Sequence, residues 1–224
     1  MLDLPGPATS VELDAGQRRV ATADLTERLY VTAGPGSGKT ETVSARIDFL
    51  VEEEGLAGNE ILVISFSRAA VEAVQRRQRQ GDGRAWAWVT TIDSLAARLL
   101  NDLAEEVTGM KFDARIDRLA TLLGADPDED VLPDVQHVII DEVQDVVGRR
   151  AELVATLLAA LPESVGFTML GDPKQGIYDF QLDEESSDPY LLLYRARDLG
   201  ATEVGLNGQY RAATADARSA MALR

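Results

Sequence analysis

Cysteine is absent from this chain of 224 residues, and histidine occurs once, at His137. Without thiols there is no disulfide and no thiolate metal site, and a single imidazole cannot build a zinc cluster. Any metal must then be a hard cation held by oxygens. Long apolar runs are also missing: Met1-Leu2-Asp3-Leu4-Pro5-Gly6-Pro7 has neither the basic start nor the apolar core of a signal peptide, and no stretch approaches the ~20 residues of a membrane span. These absences predict a soluble, cytoplasmic protein with no membrane partner. Basic residues are in the minority, 22 lysines and arginines against 38 aspartates and glutamates, for a formal net charge of −16. A chain this acidic holds a polyanion only through a local basic groove or with help.

What remains is ordinary globular material, 45% hydrophobic and 27% charged, long enough to bury a sizeable core. Within it, Ala33-Gly34-Pro35-Gly36-Ser37-Gly38-Lys39-Thr40 follows the apolar run Leu29-Tyr30-Val31-Thr32 and precedes a helical pattern. A Gly-rich string alone is an ordinary turn; between a strand and a helix it becomes a phosphate-binding loop. Its glycines let successive N–H groups point at an oxyanion, and the helix adds the positive end of its dipole. Lys39 then supplies a charge for the β- and γ-phosphates, and the Thr40 hydroxyl a ligand for Mg²⁺.

Around this loop strand and helix patterns alternate. A helix is predicted over Val11–Ala23, with Asp14 or Ser10 as N-cap, then strand Leu29–Thr32, helix Lys39–Glu53, strand Ile61–Ser65, helix Ala69–Gln80, strand Trp86–Thr91 and helix Asp93–Leu103. After a small insertion at about 101–133, containing helix Ala114–Leu123 and the acidic loop at 126–130, come strand Val135–Ile140, helix Arg149–Leu161 and strand Val165–Leu170. An irregular acidic patch follows at 179–188, then strand Thr202–Leu206 and a helical pattern over Tyr210–Leu223. Alternation of this kind, with strands as continuously apolar as Ile61-Leu62-Val63-Ile64, predicts an α/β fold: a parallel, doubly wound sheet with helices on both faces. Ligands bind such sheets beyond the carboxyl ends of the strands.

Directly after strand Val135–Ile140 come Asp141 and Glu142, an acidic pair placed to hold a metal and to take a proton from an attacking water, respectively. After the next strand, Gln175 offers an amide that can sense a γ-phosphate or orient that water. Tyr178 and Phe180 offer faces for stacking bases, although core packing explains Phe180 equally well. From Arg68 to Arg84, five arginines face two acids; a solvated helix face and a phosphate-backbone contact both account for that run. His137 reads as a structural strand residue.

In this order the motifs resemble the UvrD/Rep-type DNA helicases of superfamily 1. Leu13-Asp14-Ala15-Gly16-Gln17 is similar to the Q motif, Ala33–Thr40 to motif I, Val63–Ala70 to motif Ia, and Thr91-Ile92-Asp93-Ser94 to motif Ib. Asp141–Asp145 resembles motif II, Gly171–Phe180 motif III, and Leu206–Ala212 motif IV. The resemblance implies a RecA-like P-loop NTPase domain spanning 1–224, the first of two such domains in a helicase, with ATP and Mg²⁺ as cofactors. It implies that Gln17 bonds the adenine edge, Tyr210 stacks on the base, Gly34, Gly36, Ser37, Gly38, Lys39 and Thr40 hold the phosphates, and Asp141 and Thr40 serve the metal. Glu142, Gln175 and Arg211, the last as an arginine finger, are the implied catalytic residues, and Phe66, Arg68, Tyr178 and Phe180 the implied contacts to single-stranded DNA.

Three departures stand out. Asp93 replaces the usual His of motif Ib, Gln209 replaces Asn in motif IV, and the sequence after Arg211 holds nothing similar to motifs V and VI. Coupling of ATP hydrolysis to translocation is then expected only when a second RecA-like domain, in cis or in trans, completes the cleft. The alternative reading is a stand-alone nucleotide-dependent binding or regulatory module. A P-loop kinase or GTPase is disfavoured by the placement of Glu142 and Gln175 for water activation.

Overall fold

The computed structural model describes residues 12–66, 71, 72, 75, 86–125, 131–172, 188, 190–208 and 210. Six strands, β1 (Arg28–Ala33), β2 (Ile61–Ser65), β3 (Trp88–Thr91), β4 (His137–Asp141), β5 (Gly166–Gly171) and β6 (Thr202–Leu206), form one sheet in the order β3-β2-β4-β5-β1-β6. Every pairing is parallel. Helices α1 (Ala15–Ala21), α2 (Lys39–Glu52), α3 (Ile92–Asp102), α4 (Phe112–Ala125), α5 (Gly148–Ala160) and α6 (Leu191–Asp198) pack on this sheet, with short 3-10 turns at Gly58–Glu60 and Val143–Asp145. The predicted helix over Ala69–Gln80 lies almost entirely outside the described residues, as does most of that over Tyr210–Leu223.

Alternation along each strand divides the core in two, because successive side chains point to opposite faces. Leu62 and Ile64 of β2, Val138 and Ile140 of β4, and Phe167 and Met169 of β5 enter the larger core with α3, α4, α5 and α6. Ile61, Val63, Ile139 and Leu170 point the other way, with Val20 of α1 and Val43, Ile47 and Leu50 of α2. β2, β4 and β5 are buried at every position, as expected of a parallel sheet covered on both sides.

Three differences from the sequence-based expectation have physical reasons. α1 starts at Ala15 rather than Val11, because Asp14 caps it: its carboxylate accepts from Gln17 N and its own N–H donates to Gln17 Oε1, a reciprocal box that fixes the first turn. Helix α4 buries Ile116, Leu119 and Leu123 in the larger core, so the segment read as an insertion contributes directly to that face of the sheet. Helix α6, unmarked in the sequence reading, is short and buries only Leu192 and Ala196.

Arg46 of α2 is fully buried and donates to the carbonyls of Ala21, Ala23 and Asp24. This locks the α1–β1 connection against the helix that follows the phosphate loop. Burial pulls its guanidinium down to about 10, so it remains charged at neutral pH.

Candidate active site

Because all six strands run the same way, their carboxyl ends share one edge of the sheet. β1 leaves that edge through Gly34–Gly38, with Ser37 N donating to Gly34 O at 3.2 Å. Gly36 and Gly38 have φ of 77° and 83°, the left-handed region that glycine enters without steric cost. Gly38 is the N-cap of α2 and supplies no side-chain cap, leaving first-turn N–H groups for an external acceptor. Thr40, in that first turn, is exposed.

The register places β5 between β4 and β1, so the phosphate loop and the acidic pair face each other across the end of β5. Lys39 Nζ lies 3.3 Å from Ala33 O and 3.4 Å from Glu142 Oε2. Asp141 ends β4 and is 4% exposed; burial first, then the neighbouring Glu142 charge, push its carboxyl up to about 6. Its Oδ1 accepts from Glu142 N at 2.9 Å. Glu142 has φ of 54°, a conformation that costs a residue with a Cβ roughly 1–2 kcal/mol and that concentrates at functional sites. Asp145 is also raised, by burial and then by Glu142.

One group the sequence reading passed over completes this arrangement. Gln144 Nε2 donates to Glu142 Oε2 at 2.6 Å, and Gln144 Oε1 accepts from Asp172 N at 3.0 Å. The amide thus ties the acidic pair after β4 to the segment after β5. A Cβ on Gly171 would stand 2.9 Å from Gln144 Oε1 and 3.2 Å from Val143 Cβ, so glycine at the end of β5 makes room for the bridge. The signal was available in sequence: an amide two residues beyond a candidate base.

On the other flank of the loop, Gln17 is buried and its Nε2 donates to Ser37 O at 3.3 Å. With Oε1 shared with Asp14 N, the amide keeps one N–H and one lone pair for another partner. Tyr210 N donates to Gly36 O at 2.8 Å, its hydroxyl donates to Asp14 Oδ2 at 2.7 Å, and the residue is 53% exposed. Those bonds hold Asp14 below the usual carboxylate range, the Gln17 amide first and the Tyr210 hydroxyl second. Gln17, Tyr210 and the glycine loop therefore form one wall.

Phe66, directly after β2, is 44% exposed and lines a cleft of about 340 Å³ with Thr91, Asp93, Phe112, Arg115 and Arg150. Asp93 does not stand there as an isolated charge: Arg150 of α5 meets it at 2.7 Å and reaches Asp113 at 3.5 Å. Phe112 and Arg115 come from α4 and were not singled out in the sequence, since nothing in their spacing places them beside Phe66. Arg68, Gln175, Tyr178, Phe180 and Arg211 lie outside the described residues.

Among the described residues no three or more His, Cys, Asp or Glu side chains converge as a metal cage. The oxygens of Asp141 and Thr40 suit Mg²⁺, which takes one or two carboxylates and fills its shell with phosphate oxygens and water. No helix among the described residues is long and apolar enough to cross a membrane.

A family model described as AAA domain matches residues 17–181. Over 113 residues the chain is 33% identical to the ATP-dependent DNA helicase UvrD1 of Mycobacterium tuberculosis, covering 47% of this chain and 14% of that relative. It is 28% identical over 109 residues to the ATP-dependent DNA helicase PcrA of Staphylococcus aureus, covering 48% of this chain and 14% of that relative. The chain thus matches only a small part of the length of these curated relatives. The crystal structure of Pif1 helicase from Candida albicans superposes with a TM-score of 0.50 at 14% identity, over 88% of this chain and 40% of that one, a likeness of fold. With the family match spanning most of the sheet, and with the loop after β1 and the carboxylates at the end of β4 inside it, the chain belongs to the AAA-domain family and has the α/β fold of a P-loop NTPase.

Proposed function

We propose that this chain is the ATP-binding domain of a cytoplasmic superfamily 1 DNA helicase, a single RecA-like unit over 1–224 that works with a second such domain in cis or in trans. The observation that carries the reading is the approach of Lys39 to Glu142 across the end of β5, with buried Asp141 beside them. Phosphate oxygens entering the Gly34–Gly38 loop compete with Glu142 for the Lys39 ammonium, and the released Glu142, still held by Gln144, accepts a proton from the attacking water. Asp141 and Thr40 hold Mg²⁺, which supplies charge neutralisation at the phosphates when bound. Gln17 reads the adenine edge, Tyr210 stacks on the base, Gln175 contacts the γ-phosphate, and Arg211 stabilises transition-state charge.

A single DNA strand runs past Phe66, Arg68, Tyr178 and Phe180. Phe112 and Arg115 join that path, because they line the Phe66 cleft and bring an aromatic face and a positive charge to an otherwise acidic chain. Translocation requires two domains that close on ATP and reopen, alternating their grip. The test is ATPase activity with and without oligo(dT), together with oligo(dT) binding at increasing salt. Turnover that rises with the strand, and binding that weakens with salt and on Phe66→Ala or Phe112→Ala, support the reading; stacking of this kind is worth ~1–3 kcal/mol per base. Binding indifferent to salt and to both substitutions overturns the DNA part.

A further inference from the structure

At the opposite edge of the sheet, where β2, β3 and β4 begin, the chain surrounds a cavity of about 550 Å³, within the size range of sites that take small molecules or side chains of a partner. Trp86 on its wall is 54% exposed. That indole is seated rather than loose: a Cβ on Gly58 would come within 2.4 Å of two ring atoms, so the ring packs on bare backbone. Beside it, the Arg98 guanidinium lies 4.0 Å from the Trp88 ring centroid and 3.7 Å from Asp102. Leu99 and Leu103 give an apolar floor, while among the described residues the rim carries Asp102 and Asp134 against one cation, Arg98.

A half-exposed tryptophan over an apolar floor is an unusual surface for a soluble domain and is the residue type most enriched at binding hot spots. The charge balance selects the occupant. One carboxylate in excess, on a chain of net charge −16, repels nucleic acid, whereas an indole face and carboxylates both attract a cation. We propose that this cavity docks a short segment of a partner protein that presents an apolar side chain next to a lysine or arginine. The site lies at the start of β2 and β3, three and four strands from β1 in the sheet order, a lateral offset of roughly 14–19 Å on top of a strand's length, so the partner and ATP bind together. The inference does not depend on the proposed helicase function.

Selection from a random dodecapeptide display library on the whole chain, followed by fluorescence anisotropy of the enriched peptides, tests this. The expected result is enrichment of peptides pairing an apolar with a basic residue, whose affinity falls about tenfold or more on Trp86→Ala. Asp134→Lys, a surface change that leaves the packing on Gly58 untouched, weakens the same peptides, and added salt does so as well. Mg²⁺-ATP affinity stays unchanged in both variants. Enrichment of acidic peptides, peptides that bind Trp86→Ala and Asp134→Lys as well as the parent chain, or self-association of the chain that Trp86→Ala abolishes would overturn the proposal, the last by making a second copy the occupant.

Discussion

Lys39 Nζ and Glu142 Oε2 stand 3.4 Å apart across the end of β5, which couples the group proposed to hold phosphate to the group proposed to activate water. Glu142→Gln removes the base but keeps the shape of the side chain and its reach to Gln144. Nucleotide affinity is expected to stay within a few-fold, while single-turnover hydrolysis falls by roughly 10²–10⁴, the range of general-base contributions. Parallel equilibrium binding and quenched-flow hydrolysis separate the two effects.

Gln144 is the other hold on that carboxylate, through bonds of 2.6 Å to Glu142 and 3.0 Å to Asp172 N. Gln144→Ala frees Glu142 to reorient and leaves the Asp172 amide without this acceptor. Supporting groups around a metal-assisted centre typically contribute 10–100-fold, so turnover drops by about that factor with little change in nucleotide affinity. Gly171→Ala, which crowds the same amide from β5, gives a loss in the same direction.

The burial of Asp141 sets function against stability. Its carboxyl is raised from 3.8 to about 6, mainly by burial, so the folded chain holds a proton that the unfolded chain has released between those values. The cost to stability is absent below the unfolded value, grows as pH rises, and is complete above the folded one. About two pKa units correspond to at most ~3 kcal/mol. Asp141→Asn, which keeps an acceptor for Glu142 N, is expected to raise the melting temperature at pH 7.5 and to leave it unchanged near pH 4, while Mg²⁺-dependent nucleotide binding is lost.

His137 has the opposite pH dependence. Its ring is enclosed between Leu25 O at 2.9 Å and Thr168 Oγ1 at 3.0 Å, and burial pulls it from 6.5 to about 3. In that window the unfolded chain binds a proton that the fold refuses, so stability is whole above 6.5 and declines as pH falls. Denaturant melts at pH 7.5 and 5.5 are expected to differ through this group by about 1 kcal/mol. His137→Gln lowers stability overall but removes that part of the slope.

The parallel sheet was legible because fully buried strands such as Ile61–Ser65 carry unbroken apolar runs between turn signals, and the loop and acidic pair because phosphate chemistry demands those residue types directly after strands. The Glu142 half of the Gln144 bridge was open to sequence reading, but its second bond, to Asp172 N, depends on β5 pairing with β4, and strand order is not written in any one segment. Phe112 and Arg115 became visible only through the packing of α4 on the larger core. Asp93 stands in the sequence as a bare replacement for the usual His of motif Ib. Its partner Arg150 comes from a helix 57 positions away, beyond the reach of local pattern.

The loop at Gly34–Gly38, Lys39 and the carboxylates at 141 and 142 are proposed to form one Mg²⁺-ATP site. Isothermal titration of Mg²⁺-ATP into the parent chain and into Lys39→Ala tests that assignment most directly. Saturable, Mg²⁺-dependent binding to the parent is expected, with a loss of about 10–100-fold or more in the variant, the worth of the charge-assisted bonds removed. Absence of Mg²⁺-dependent binding to the folded parent chain, or equal affinity in the two, would contradict the assignment.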